Sequence, residues 1–324
     1  MIKVALIGAG FMGQTHLDRY KNNKNCALTY VFDASLERAQ KLSLPSGCKA
    51  TDSLDEVLQS DVDMVDICLP TFLHMEYCKK SAAAGKHVMC EKPMSIQTAQ
   101  CKEMIDTCAE NGVQLMIAHV LRFWPEYMFI QKAKADGRFG KLLYIRSGRR
   151  QAMPNWSFQN WLSNPELSLG GVVDAQIHDL DFAISLLGMP ERISAAGVKS
   201  VYGGWEQATT LLHAKDGTVF CSEVCNLMPA GYPFTAQLCA VFERASIDYN
   251  STLEQTVTVY EEGKEPYHPQ LPAQDGYQNE IDYFIDCIST GKAVSIGTGQ
   301  DGLNALRLSL AAKTALDTGK EVVL

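Results

Sequence analysis

The chain predicts an α/β fold in two parts: a doubly wound parallel sheet, then an α+β domain with an open, mostly antiparallel sheet. Three observations predict it. Short runs that are apolar on both faces alternate with helical stretches up to about residue 120, as parallel strands covered by helices should. A glycine-rich turn, Gly8-Ala9-Gly10-Phe11-Met12-Gly13, joins the first run to the first helical stretch. Beyond Arg122, strand-like runs follow one another with little helix between them, which reads as antiparallel pairing.

Lys3 to Gly8 is a strand candidate and Gly10 to Tyr20 a helix. Ala27 to Phe32 is a strand, and Ser35 to Lys41 a helix. Ser53-Leu54-Asp55-Glu56 has the form of a capping box and opens a short helix. Met64 to Leu69 is the next strand. The helix after it ends in Ala82-Ala83-Ala84-Gly85, with the glycine suited to the position just past a helix end. His87 to Cys90, a helix from about Ser95 to Glu110, and Val113 to Ala118 complete the first part. In the second part, helices are expected over Glu126 to Ala135 and Gly171 to Leu187, and strands near 142–149, 193–201, 207–213, 218–226, 235–241, 245–249 and 256–260. Two helices, about 276–289 and 301–317, close the chain. The expected domains are 1–121 and 122–324, with a boundary near 119–123 that no Pro/Gly linker marks.

Composition narrows the function. At 324 residues and 46% hydrophobic content the chain can build real cores. Lys and Arg number 29 against 37 Asp and Glu, a formal charge of −8, which argues against a nonspecific nucleic-acid or anionic-membrane surface. The start runs directly into a strand-like segment, and no apolar run is long enough to span a membrane. The eleven cysteines are scattered, many inside apolar segments, with no C-x-x-C. They read as small buried hydrophobes of a reducing cytoplasm. Cys221 and Cys225 lie four apart but no histidine cluster joins them, so no metal is expected.

The glycine turn matches G-x-G-x-x-G between a strand and a helix. Gly8 suits the tight turn, Gly10 the close approach of a pyrophosphate, and Gly13 close packing of helix on strand. Phe11 and Met12 complete the turn, and the helix N-terminus favours phosphate. Asp33 ends the second strand 20 residues after Gly13, where a carboxylate accepts from an adenosine ribose 2′-hydroxyl. That favours NAD, because a carboxylate repels a 2′-phosphate; Arg38 and Ser35 nearby soften the preference and leave NADP open. Leu69-Pro70-Thr71, with His74 three residues on, is a second strand-to-helix turn bordering the dinucleotide.

Two further motifs carry chemistry. Glu91-Lys92-Pro93 follows the apolar run His87-Val88-Met89-Cys90. A lysine at a strand's C-terminal end sits where open α/β sheets bind ligands, and the proline biases it toward an extended backbone. Gly170-Gly171-Val172-Val173-Asp174-Ala175-Gln176-Ile177-His178 is the other. If helical, Asp174 and His178 share a face, while Val173, Ile177, Leu180 and Ile184 mark a packing face. Around them, Trp124, Trp156 and Trp161 fall among Phe123, Tyr127, Phe158 and Pro154, with Arg122, Arg149, Arg150, Gln151, Asn155 and Asn160 as hydrogen-bonding groups. Together they suggest a pyranose- or cyclitol-sized pocket.

With G-x-G-x-x-G and a strand-end Asp, then E-K-P, then G-G-x-x-x-D-x-x-x-H, the chain resembles the Gfo/Idh/MocA family, from Lys3 to the closing helices. The resemblance implies a Rossmann domain followed by an open-sheet domain that often mediates oligomerisation, here as a homodimer or homotetramer. It implies that Lys92, Asp174 and His178 match the catalytic positions, in an NAD(P)-dependent dehydrogenase acting on CH–OH groups of a sugar, sugar derivative or inositol. Glu91 and Lys92 border the cofactor, and His119, Arg122, Trp124 and Trp161 are the substrate-side candidates. The chain departs from common relatives in Arg122-Phe123-Trp124-Pro125, where many have Asp before the proline, and in Leu169-Gly170-Gly171, where many have three glycines. Both departures touch the substrate side, so no particular sugar is carried over. Two other readings stand beside the dehydrogenase: a redox-neutral, glycoside-processing enzyme with tightly held NAD, and a catalytically silent NAD/sugar sensor.

Overall fold

The computed structural model describes every residue except Ser43. The chain divides into two compact units. The first comprises Met1–Val120, Trp156–Gln159 and Gln274–Leu303; the second comprises Leu121–Asn155, Asn160–Ala273 and Asn304–Leu324.

The first unit begins with β1 (Ile2–Ile7), α1 (Phe11–Tyr20), β2 (Cys26–Phe32), α2 (Leu36–Lys41), β3 (Lys49–Thr51) and α3 (Leu54–Gln59). It continues with β4 (Met64–Ile67), α4 (His74–Ala83), β5 (His87–Glu91), α5 (Thr98–Glu110) and β6 (Leu115–Ala118). The six strands form one parallel sheet in the order β3-β2-β1-β4-β5-β6. Val4 to Ile7, Met64, Val65, Ile67, Val88 to Cys90 and Ile117 are buried, so the central strands are apolar on both faces because helices cover both. The order reverses beside β1. The loops after β1 and β4 therefore diverge there, which is where open α/β sheets hold ligands.

Local signals set the helix ends. Ser53 accepts from the Glu56 N–H at 3.2 Å as the N-cap of α3. The Glu56 carboxylate, however, turns to Lys49 and to the Thr51 hydroxyl, which donates to it at 2.8 Å, so only half of a capping box forms. After α4, Gly85 takes a left-handed φ of 73°, and the N–H groups of Gly85 and Lys86 reach Ala82 O and Ser81 O. That pairing satisfies the last carbonyls of the helix. β3 lacks a sequence signal because three residues, one of them the exposed Lys49, show no periodicity.

The second unit holds α6 (Pro125–Ala135), β7 (Leu142–Ala152), α7 (Pro165–Ser168), α8 (Gly171–Asp174), α9 (Ile177–Leu187), β8 (Arg192–Lys199), β9 (Trp205–His213), β10 (Val219–Met228), β11 (Thr235–Phe242), β12 (Ala245–Asn250) and β13 (Val257–Glu261). Then come α10 (Gly276–Thr290), which belongs to the first unit, α11 (Gly299–Thr318) and β14 (Val322–Val323). The second sheet runs β13-β12-β11-β7-β10-β9-β8-β14 and is antiparallel except where β7 meets β10. β7, β9, β10 and β11 alternate buried with more exposed residues, the mark of a sheet covered on one face. Val173, Ile177, Leu180, Phe182 and Ile184 supply apolar packing from α8 and α9. One expectation is corrected: Gly171 to Leu187 is not one helix. It breaks at Ala175 and Gln176, where the Gln176 N–H bonds Gly171 O at 2.9 Å instead of the oxygen four residues back.

Candidate active site

In the first unit the glycine turn is built by steric exclusion. A Cβ on Gly8, whose φ is 110°, would lie 2.5 Å from Cys68 O; one on Gly13 would overlap the Gly8 carbonyl oxygen. These glycines let α1 press onto the ends of β1 and β4. A Cβ on the exposed Gly10 would meet no protein atom within 4 Å. Gly10 caps α1 without a side-chain hydrogen bond, and the first turn carries no acid. Its N–H donors and the positive end of the dipole thus suit an anion.

Asp33 is buried at the end of β2. Its Oδ2 accepts from the Ala9 N–H at 3.0 Å, which fastens β2 to the glycine turn. Its Oδ1 accepts from the Ser35 N–H at 2.8 Å and from Arg38 Nη2 at 2.6 Å. Leu69 and Pro70 follow β4, half-buried, and Thr71 is buried. His74 is buried beneath them, with its ring between Leu69 O at 2.8 Å and Pro93 O at 2.9 Å. Burial pushes its pKa down. His74 therefore ties the turn after β4 to the segment after β5.

Behind Lys92 lies a buried polar cluster that sequence reasoning missed. His16 on α1 faces Asp66 Oδ2 at 2.7 Å with Nδ1 and Glu91 Oε1 at 3.1 Å with Nε2. Tyr20 donates to Asp66 at 2.9 Å, and Glu91 Oε2 accepts from the Lys92 N–H at 3.0 Å. Burial alone would depress His16, but the Asp66 carboxylate overcomes it and holds the imidazole well above its ordinary value. Glu91, which burial would raise, is held below its usual range by His16 and Lys92. Glu280 on α10 is buried here too, neither oxygen having a hydrogen-bond partner among the described residues. Burial pushes its pKa well up. His16, Asp66 and Cys68 also lie close enough together to share an ion, and burial raises the Cys68 thiol above its ordinary value. All eleven cysteines are free.

In the second unit, the Gly170-Gly171 pair is again steric. Gly170 has φ of 81°, and a Cβ there would sit 2.9 Å from Trp205 N; one on Gly171 would sit 2.7 Å from Asn226 Nδ2. The Gly171 N–H and Asn226 Nδ2 both donate to Glu206 Oε2, at 3.0 and 2.9 Å. Burial, with Asp174 adding to it, raises the Glu206 pKa. Gln176, wholly buried, donates to Ser222 O at 3.1 Å and accepts from Thr210 Oγ1 at 3.1 Å. It thereby pins the break between α8 and α9 to β9 and β10. Asp174 and His178 flank that pinned turn, both half-buried.

The substrate-side candidates come from several elements. Arg122 gives a bidentate pair to Asp181, both bonds 2.8 Å, and so fixes the segment before α6 to α9. His119 is buried at the end of β6. Trp124 is the half-buried N-cap of α6, and Trp161 is half-buried in a short 3-10 turn. Trp156 and Phe158 belong instead to the first unit. Trp156 stacks on Phe11 with centroids 4.7 Å apart, and the Arg38 guanidinium lies 5.1 Å from the Phe158 ring centroid. Arg149, named among the polar groups, is buried on Asp179 at 2.6 Å.

Two family models match the chain. The oxidoreductase family with an NAD-binding Rossmann fold matches residues 2–119, and the GFO/IDH/MocA C-terminal domain matches residues 127–248. The chain is similar to an inositol 2-dehydrogenase of Rhizobium meliloti, 25% identical over 99% of this chain and 98% of that protein. It is 32% identical to a 2,7-anhydro-N-acetylneuraminate hydratase of Mediterraneibacter gnavus over 62% of this chain, and spans only 53% of that relative's length. A probable dehydrogenase from Thermotoga maritima superposes with a TM-score of 0.83 and 25% identity over 99% of both chains. No helix among the described residues is long and apolar enough to cross a membrane. A glycine turn packed against the switch point, an open helix N-terminus and a strand-end carboxylate are the parts an NAD site needs, and with both family models matched in order, the chain belongs to the Gfo/Idh/MocA oxidoreductases.

Proposed function

We propose that this oxidoreductase transfers a hydride between NAD and a secondary alcohol of a sugar, sugar derivative or inositol. One observation carries the reading: the glycine turn follows β1, Leu69-Pro70-Thr71 follows β4, and Glu91-Lys92 ends β5, at the same ends of three neighbouring strands of one parallel sheet. Three candidate motifs from separate stretches thus share one sheet edge. Gly8, Gly10, Phe11, Met12 and Gly13 would hold the pyrophosphate, and Asp33 the adenosine ribose.

The bound dinucleotide supplies the hydride acceptor or donor. His178 takes the hydroxyl proton as the alcohol is oxidised and returns it in the reverse direction, a task suited to imidazole near neutral pH. Asp174 orients that ring or binds the sugar. Lys92 steadies negative charge on the reacting oxygen, its backbone anchored by Glu91. Asp33 favours NAD over NADP, and equal or tighter NADP binding by calorimetry would reverse that assignment. The half-open second sheet would support self-association as a homodimer or homotetramer, which sedimentation velocity reads directly.

A panel of inositols, aldoses and glycosides incubated with NAD, followed at the absorbance of NADH, tests the reaction. Release of NADH with a polyol is expected. Firmly bound NAD with no net NADH from any of them would instead favour redox-neutral turnover, a reading supported by the likeness to a hydratase.

A further inference from the structure

The segment Trp156–Gln159 leaves the second sheet after β7, yet it packs with the nucleotide unit. Its side chains do not build a core. Trp156 is 55% exposed, Phe158 is 49% exposed, and Phe11, on which Trp156 stacks, is 60% exposed. Ser157 between the two rings is buried and holds the segment down. Beyond it, Gln159 and Asn160 take left-handed φ values of 50° and 54°. Such conformations cost non-glycine residues about 1–2 kcal/mol each and persist where surrounding contacts over-determine them.

The two ring contacts land on particular residues. Phe11 is at the tip of the glycine turn. Arg38 is the residue whose guanidinium also grips the Asp33 carboxylate. The segment thus touches both points that bracket an adenosine diphosphate bound across the turn, one at the pyrophosphate and one at the ribose. Aromatic faces that are half in water beside such a site remain available for a flat base or an apolar ribose face. Surface aromatics with no ligand to meet would be an exposed apolar patch that a soluble fold ordinarily avoids.

We propose that Trp156 and Phe158 form an aromatic strap over the adenosine diphosphate half of the bound dinucleotide, so that this chain holds its cofactor more firmly than the glycine turn alone would. The strap rests on the NAD site of the first unit and is independent of the substrate. It also withdraws these two rings from the sugar pocket suggested by their place in the sequence.

Calorimetry of the full chain with NAD and with ADP-ribose tests it, together with stopped-flow measurement of NAD release. Both side chains are half exposed, so W156A/F158A removes little buried surface, and W156F/F158Y keeps an aromatic ring at each position. W156A/F158A is expected to weaken both ligands about tenfold or more and to speed release in proportion, as loss of aromatic stacking does. W156F/F158Y should stay within about threefold of the parent. Unchanged NAD affinity in W156A/F158A overturns the strap. So does a loss of NAD affinity with ADP-ribose binding intact, because the rings would then act at the nicotinamide end. A loss in W156F/F158Y as large as in W156A/F158A would trace the effect to backbone shape and overturn it as well. Failure of every polyol to yield NADH leaves these binding measurements untouched, so the two readings fail separately.

Discussion

His16 and Glu91 form a buried ion pair, with Nε2 3.1 Å from Oε1, that joins the helix after the glycine turn to the residue before Lys92. Glu91 in turn accepts the Lys92 N–H, so the backbone at Lys92 is set from the far side of the sheet edge. His16→Leu should therefore do two things. It strands Asp66 and Glu91 without a counter-charge, a loss of about 3–5 kcal/mol of stability, and it lowers turnover through Lys92. The pH dependence has a definite sign. The imidazole is raised above its ordinary value of 6.5 in the fold, so its contribution is fully present below that pH and is lost as pH rises through the folded value. Urea midpoints of parent and variant should approach one another at alkaline pH. A gap that widens there would contradict a charged His16.

Glu280 works against the fold at neutral pH. Burial raises its pKa well above the ordinary value of 4.5, so the native state keeps a proton that the unfolded chain gives up. Native stability then falls as pH rises from about 4.5 toward the folded value. Glu280→Gln removes that loss. Chemical denaturation should show the two proteins alike near pH 4 and the variant more stable near about pH 8. Equal midpoints at both would mean that the carboxyl is solvated or paired.

Gly10 and Gly13 separate ligand binding from folding. Gly13→Ala drives a methyl into the Gly8 carbonyl, a backbone clash that should cost about 3 kcal/mol or more in thermal or urea unfolding. Gly10→Ala meets no protein atom and should melt close to the parent. Its methyl instead enters the path of the pyrophosphate, so NAD affinity should fall about tenfold or more. A Gly10→Ala protein with unaltered NAD affinity would move the phosphates elsewhere.

His178→Asn keeps a polar group of similar size but no titrating base. Turnover should drop by about a hundredfold or more, with NAD affinity little changed by calorimetry. The pH profile should lose the limb assigned to the imidazole. Near-normal turnover would remove His178 from the mechanism.

The parallel sheet was legible because its strands are apolar on both faces and its glycine turn sits between strand and helix. The Ser53 cap and the Gly85 stop were legible because each rests on a few adjacent residues. What escaped notice shares one form. His16 lies on the α1 stripe with Gly13, Leu17 and Tyr20; Gln176 lies beside Val172, Val173, Ile177 and Leu180; Glu280 lies among Ile281, Phe284 and Ile285. All are buried. A polar residue on an apolar helical stripe is a local signal, but its partner comes from a distant strand or helix, and spacing does not name it. The break at Gln176 is such a case: helical periodicity continues through it, while Ser222 and Thr210 bend the backbone. Trp156 and Phe158 show the opposite limit. Neighbours in sequence to Trp161, they pack with residues more than a hundred positions away.

Leu169 adopts φ of 60° at the end of α7, where glycine would sit without strain. The loop path thus survives without its most permissive residue, because its ends are fastened: Leu169 N–H to Pro165 O behind, and the Gly171 N–H to Glu206 ahead. Only this first position of the Leu169-Gly170-Gly171 run is free to carry a side chain: at Gly170 a Cβ would meet Trp205 N and at Gly171 it would meet Asn226 Nδ2, so the carboxylate of Glu206 can close on the Gly171 N–H only while those two stay bare.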